Sequence, residues 1–240
     1  MLKRLSMYAA LLFLVPLIVL VSGWHWHETQ DYGMISHLLY WVTETASKPY
    51  FIITSILFAA FYFFAIKDKK TAIKVIVIMA FSLVVALGMK IEAKKAVKET
   101  RPFMTQVLKG VPNPQTFYSL KKSVRAVEVK EYYKQYAPNV PEWLVNHRSH
   151  ETSFSFPSGH STFVTTWVLL AVGFSLLLGN SKALRYFANF LTVWAILVLI
   201  SRIQLGMHFP WDEMGAIVMS WIWMLIVFFF LQKKKWMTEE

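Results

Sequence analysis

The 240-residue sequence contains no cysteine. Disulfides, thiolate chemistry and thiol-ligated metal sites are thereby excluded. Charge is scarce as well: 16% of residues are Asp, Glu, Lys or Arg, against 56% hydrophobic and 16% aromatic. A soluble domain with that balance would be hard to keep in solution, so the composition points to a polytopic membrane protein. Acidic charge is the scarcer sign, 14 residues against 25 Lys and Arg, for a formal net charge of +11. Such an excess suits nucleic acid or anionic lipid. The basic residues flank apolar runs and form no separate domain, so lipid is the expected partner and nucleic acid is not. The sequence has no internal repeat and no low-complexity tract.

What is present is length in apolar runs. Six stretches are expected to be transmembrane helices, at about 5–23, 49–66, 71–90, 161–179, 185–203 and 213–232. Each is near the ~20 residues that cross a ~30 Å hydrocarbon core. The first follows Lys3 and Arg4, as a cleavable leader would. Its run is long for a leader and "VSGW" is a poor cleavage site, so it is read as a span.

Basic clusters set the expected topology. Lys3 and Arg4, then Lys67, Lys69 and Lys70, then Lys182 and Arg185, then Lys233, Lys234 and Lys235 all fall on one side of six spans. The positive-inside rule makes that side cytoplasmic, with both termini there. The outer side receives a long connection, about 91–160, in which basic residues outnumber acidic ones. Long loops are exempt from the rule, so this excess needs another reason, and an anionic ligand supplies one. Helical stretches, for instance 116–136, are punctuated by Pro112, Pro114, Pro138 and Pro141. A small helical outer cap over about 103–156 is expected.

Three clusters fall at the outer ends of these spans. In "KKAVKETRP", 94–102, Lys94 and Arg101 are seven residues apart. A helix continued outward would put both on one face, about 10 Å apart along the axis, with Lys98 beside them. Pro102 should end that helix. The bland alternative is a solvated basic helix end, or lysines reaching for headgroups. In "FPSGHST", 156–162, Ser158 can cap a helix, Gly159 lets an anion approach the backbone, and His160 points at whatever binds. An ordinary capped helix with an interfacial histidine is the alternative. In "SRIQLGMHFPWD", 201–212, Arg202 is an ionisable group at membrane depth. If Pro210 starts a helix, Asp212 in its first turn can reach the His208 ring and leave the far nitrogen free as a nucleophile. A structural His–Asp pair is the alternative. The topology, drawn without these residues, gathers all three clusters on one face.

Lys94-x6-Arg101-Pro102, Pro157-Ser158-Gly159-His160 and Ser201-Arg202-x5-His208-x3-Asp212 together resemble the three-part signature of the type 2 phosphatidic acid phosphatase superfamily. Segments 41–49 "WVTETASKP", 117–122 "FYSLKK" and 150–160 "HETSFSFPSGH" resemble the bacterial phosphatidylglycerophosphate phosphatases of that superfamily. With the six spans, the likeness covers nearly the whole chain. It implies an all-α integral membrane fold in one domain, 1–240. It also implies hydrolysis of a lipid phosphomonoester, with phosphatidylglycerophosphate first and undecaprenyl pyrophosphate or phosphatidic acid as alternatives.

By the same resemblance, Lys94, Arg101, Arg202, the Ser158 hydroxyl and backbone N–H groups near Ser158 and Gly159 would bind phosphate. His208 would attack phosphorus, Asp212 would orient it, and His160 would protonate the departing alkoxide and then help water attack. Glu151 is near the site by sequence only. His160, His208 and Asp212 are also plausible metal ligands. The surrounding cations would repel a divalent ion, so no metal and no cofactor is expected. In "WHWHE", 24–28, Trp24 and Trp26 suggest an interfacial aromatic belt, with a metal site at His25 and His27 the alternative. His37, His147 and His150 have no clear partner. No partner protein is evident. A bacterial inner-membrane location, with the site on the periplasmic face, completes the expectation. A non-catalytic lipid-binding or transport protein is the competing class; it needs the cations but not His208 beside Asp212.

Overall fold

The computed structural model describes residues 1–28 and 30–233. Lys234 and Lys235, part of the last basic cluster, lie outside the described residues. Every regular element described is an α-helix. In chain order these are α1 (Leu2–Ser22), α2 (Met34–Glu44), α3 (Tyr50–Ala65), α4 (Lys69–Val97), α5 (Pro102–Val107) and α6 (Pro114–Ser119). Then come α7 (Lys122–Tyr136), α8 (Glu142–His150), α9 (Gly159–Leu177), α10 (Lys182–Gln204) and α11 (Pro210–Lys233). Five helical segments, starting at Leu2, Lys69, Gly159, Lys182 and Pro210, are long and apolar enough to cross a membrane. The stretch expected to span at 49–66 is α3, with 16 residues. At 1.5 Å per residue it is about 24 Å long, short of a ~30 Å core.

α9 is the central post. Every side chain from His160 to Ser175 is buried, and α1, α4, α10 and α11 pack around it. Its many small residues let neighbouring backbones come close. A Cβ at Gly173 would lie 2.1 Å from the Phe228 ring of α11, so only glycine fits that contact. The outer helices invert the pattern: Ile18, Phe64, Val84 and Phe230 point away from the protein. Apolar exposure on this scale marks a membrane-facing surface.

α4 is capped by Asp68, whose carboxylate accepts from the Lys70 and Thr71 N–H groups at 3.3 and 2.7 Å. At 29 residues it is about 44 Å long, more than a ~30 Å hydrocarbon core needs. It stops earlier than the sequence suggested. Lys98 takes a left-handed conformation, φ 55°, and ends the helix at Val97. Arg101 is extended, and Pro102 opens α5 instead of closing α4. Proline suits a first helical position, because its missing N–H has no partner to lose there. Lys98 therefore does not share a helical face with Lys94 and Arg101, and its side chain is exposed.

The cap is α5 to α8. Phe103, Met104, Phe117, Val129, Tyr133 and Leu144 form a second apolar cluster with Leu205 and Met207 from the α10–α11 turn. The expected helix at 116–136 is broken in two at Leu120 and Lys121, both in non-helical conformations. Arg148, fully buried, ties the cap down. It donates to the hydroxyls of Tyr133 and Tyr32 and to the Leu205 carbonyl. It also sits 5.0 Å from the Trp26 ring, so half-buried Trp26 packs on the protein, while Trp24 is exposed. The sequence reading also missed α2, an 11-residue helix packed on α10.

Candidate active site

The α10–α11 turn presents the first histidine. Gly206 is left-handed, φ 69°, and a Cβ there would lie 2.4 Å from Trp26. This lets the N–H groups of Met207 and His208 fold back onto the Arg202 carbonyl, at 2.9 and 3.2 Å. His208 is thus held against the end of α10. Pro210 starts α11 and puts Asp212 in its first turn. His208 Nδ1 lies 3.2 Å from Asp212 Oδ2. On the other side of the ring, Nε2 lies 3.2 Å from Arg101 Nη1. A guanidinium only donates, so Nε2 carries the lone pair and Nδ1 carries the proton toward Asp212. Burial, then the charges of Arg101 and Arg202, hold the imidazole well below its ordinary value of 6.5 and keep it neutral.

Asp212 is itself positioned. Its Oδ2 accepts from the Ser155 hydroxyl at 2.5 Å and the Phe209 N–H at 2.8 Å. Ser155 also lies 3.2 Å from His208 Nδ1. Nothing in the residue pattern singled out Ser155, which sits three residues before Ser158.

Arg101 is 2% exposed. Its Nε donates to the Ser153 carbonyl at 2.8 Å, and Nη2 meets Glu151 at 2.9 Å. Lys94, on α4, donates to the Phe154 carbonyl and, at 2.7 Å, to that of Ser155. Both cations therefore grip the 151–155 loop. Arg202 is wholly buried and donates Nη1 to Thr43 at 3.1 Å and to His147 at 2.9 Å. Its Nε and Nη2 have no hydrogen-bond partner among the described residues. Glu151 lies 3.8 Å from both Arg202 and His160. Burial opposes its ionisation, but Arg101, His160 and Arg202 together hold its carboxyl well below the usual carboxylate range.

His147 has two partners where the sequence suggested none. Its Nε2 must accept from Arg202, so its Nδ1 proton faces Glu44 at 2.9 Å. Glu44 and Thr43 come from α2. Their distance in sequence from Arg202 hid them. His37 lies among Tyr40, Trp41 and Trp143, and His150 bonds the Asn146 carbonyl of its own helix.

Ser158 caps α9, its hydroxyl accepting from the Ser161 N–H at 3.3 Å. The Ser158 N–H is already used, donating to the Asp212 carbonyl at 3.1 Å. The open donors of the turn are thus the Gly159 and His160 N–H groups, as at any helix start. His160 Nε2 is 2.8 Å from the Ser47 hydroxyl. A cavity of about 600 Å³ adjoins Lys94, Arg101, Glu151, Gly159 and His160, and its walls toward α3, α4 and α9 carry Phe51, Leu87 and Phe163. A polar, cationic end thus meets an apolar flank.

Fold and site together define a membrane-embedded helical protein with a cation-lined pocket and an oriented, neutral histidine. Residues 71–236 match the PAP2 superfamily. The chain is 39% identical to phosphatidylglycerophosphatase B of Haemophilus influenzae, over 98% of each chain. It is 36% identical to phosphatidylglycerophosphatase B of Escherichia coli K12, covering 91% of this chain and 85% of that one. A crystal structure of a transmembrane PAP2-type phosphatidylglycerolphosphate phosphatase from Bacillus subtilis aligns over 96% of this chain and 94% of its own, with 17% identity and a TM-score of 0.49. This chain belongs to the PAP2 superfamily.

Proposed function

We propose that this membrane protein is a lipid phosphate phosphatase that hydrolyses the phosphomonoester of phosphatidylglycerophosphate to phosphatidylglycerol. The observation that carries the reading is the state of His208: an unprotonated Nε2 beside Arg101, with the Nδ1 proton turned to Asp212. A lipid-binding or transport protein has no use for that arrangement.

In the first step, His208 Nε2 attacks phosphorus and the P–O bond to the lipid breaks. His160 gives its proton to the departing alkoxide, and a phosphohistidine forms. Asp212 faces the Nδ1 proton and offsets the positive charge that the ring acquires. In the second step, His160 takes a proton from water as the water oxygen attacks phosphorus. Inorganic phosphate leaves and His208 is restored. Lys94, Arg101, Arg202, the Ser158 hydroxyl and the Gly159 N–H stabilise the phosphoryl oxygens, most strongly as charge spreads in the transition state. Glu151 keeps Arg101 aligned and lies 3.8 Å from His160.

The three cations around His160, His208 and Asp212 disfavour a divalent metal, so the reaction proceeds without one. The likeness to phosphatidylglycerophosphatase B supports the choice of substrate. Undecaprenyl pyrophosphate and phosphatidic acid are the alternatives. We place the protein in the inner membrane of a bacterium. In this reading α3 serves as a sixth span, both termini are cytoplasmic and the site faces the periplasm, which the positions of the basic clusters support.

Phosphate release from phosphatidylglycerophosphate by purified protein in detergent with excess EDTA tests this, with wild type beside His208→Ala. Activity in the first and none in the second is expected. A strict requirement for a divalent metal, or full activity without His208, would overturn the mechanism.

A further inference from the structure

The cavity beside the site is lined by basic side chains beyond those that face the reacting phosphate. A phosphate monoester carries about two negative charges near neutral pH. Lys94, Arg101 and Arg202 face the reacting phosphate, with Glu151 paired to Arg101 and 3.8 Å from Arg202. Lys48, Lys90, Lys122 and Arg125 line the same cavity. None of these four forms an ion pair with a carboxylate among the described residues.

Lys122 and Arg125 form a unit. They are three residues apart in the first turn of α7, so they share one face of that helix. Arg125 is pinned: Nη1 donates to the Thr152 carbonyl at 2.8 Å, and the guanidinium lies 6.0 Å from the Tyr118 ring. Tyr118 in turn stacks on Phe154 at 4.2 Å. Thr152 follows Glu151, so Arg125 is fixed to the loop that Arg101 and Lys94 also grip. Arg125 Nε is buried with no hydrogen-bond partner among the described residues. A guanidinium pinned by one nitrogen keeps its Nε–Nη2 edge, a geometry that matches two phosphate oxygens.

We infer that Lys122 and Arg125 form a second anion subsite in the cap, which holds the non-reacting phosphate of a substrate carrying two. This rests on the phosphatase reading above and adds to it a basis for choosing between substrates. In phosphatidylglycerophosphate the second group is a phosphodiester one glycerol away from the monoester. In a polyprenyl pyrophosphate it is the phosphate joined directly to the one released. Phosphatidic acid has no second phosphate and leaves the subsite empty.

The test is KM and kcat for all three lipids in mixed micelles, for wild type, Lys122→Ala and Lys122→Ala/Arg125→Gln. Lys122 is exposed, so its single variant is expected to fold normally. The double variant should raise KM about tenfold for a two-phosphate lipid, and Lys122→Ala by less. KM for phosphatidic acid should stay within about twofold, and kcat should hold for every lipid that wild type turns over. Selective loss with phosphatidylglycerophosphate assigns the subsite to a phosphodiester, and selective loss with the pyrophosphate assigns it to an anhydride. An equal KM rise for phosphatidic acid would reduce the pair to general attraction or loop support and overturn the inference. No change in either variant would overturn it too. A wild type inert toward all three lipids would instead sink the phosphatase reading, and this inference with it.

Discussion

Two arginines, Arg148 and Arg202, are both wholly buried, and their surroundings differ. Arg148 lies among the rings of Trp26, Tyr32, Phe103 and Tyr133, and both of its terminal nitrogens donate to fixed protein groups. Only its Nε lacks a partner among the described residues. Arg202 has one terminal nitrogen satisfied and the other not, with the nearest carboxylate 3.8 Å away and shared with Arg101. A buried donor without a partner costs stability, about 1–3 kcal/mol or more for a charged group. The comparison teaches where to look for a ligand. Nε is without a partner in both arginines, so what separates the latch from the binding group is neither burial nor an unpaired Nε but an unspent terminal nitrogen, which Arg202 alone of the two keeps.

The largest expected effects lie on the Arg202 side of this comparison. His208→Ala should lower phosphate release by about 10⁴-fold or more, with an unchanged melting temperature, because the remaining groups can bind but not attack. Arg202→Ala should lower kcat/KM by about 10²–10³-fold, as for loss of one transition-state donor, again with little loss of fold. If Arg202→Ala instead unfolded the protein while its folded fraction stayed active, the two arginines would belong to one class. Arg148→Leu is expected to do just that. It should cost about 2–4 kcal/mol of stability, read as a lowered melting temperature, with kcat per folded molecule retained.

A finer test concerns how Arg202 is held. His147→Ala should raise KM and the inhibition constant of inorganic phosphate by about tenfold, since Arg202 Nη1 loses its acceptor. His147→Gln should recover most of this, because an amide can accept from Arg202 and donate to Glu44. Failure of Gln to recover would mean that His147 matters through packing only.

The smallest effect is on stability against pH. Burial, then Arg202, depress His147; burial, then Arg101 and Arg202, depress His208. Below the ordinary 6.5 the unfolded chain takes up protons that the folded chain refuses. Stability should therefore fall as pH drops from about 6.5 toward the depressed values. His147→Gln should make that decline shallower in thermal melts, and an unchanged slope would refute its share in it.

Several features were legible before any fold was known. His208 and Asp212 are four residues apart around a proline, and one helical turn suffices to bring them together. Ser158 before an apolar run is a local helix-start signal, and α9 begins there. Other features needed the fold. Lys98 looked like a third cation beside Lys94, but its left-handed backbone turns the chain away. Ser155 looked like a loop serine and is a bridge between His208 and Asp212. α2 was too short to register as a span, yet it brings Thr43 and Glu44 to the Arg202 side of the site.

The division follows the range of the forces involved. Hydropathy, loop charge and helix-start chemistry are properties of neighbouring residues, so the chain alone announces membrane residence, a basic long connection and three clusters of ionisable residues. Which buried cation keeps a free donor depends on partners far away in sequence, such as His147 for Arg202 and Glu151 for Arg101. Those pairings exist only once α2, α8 and α10 have packed, because a buried charge takes its partners from whichever helices close around it.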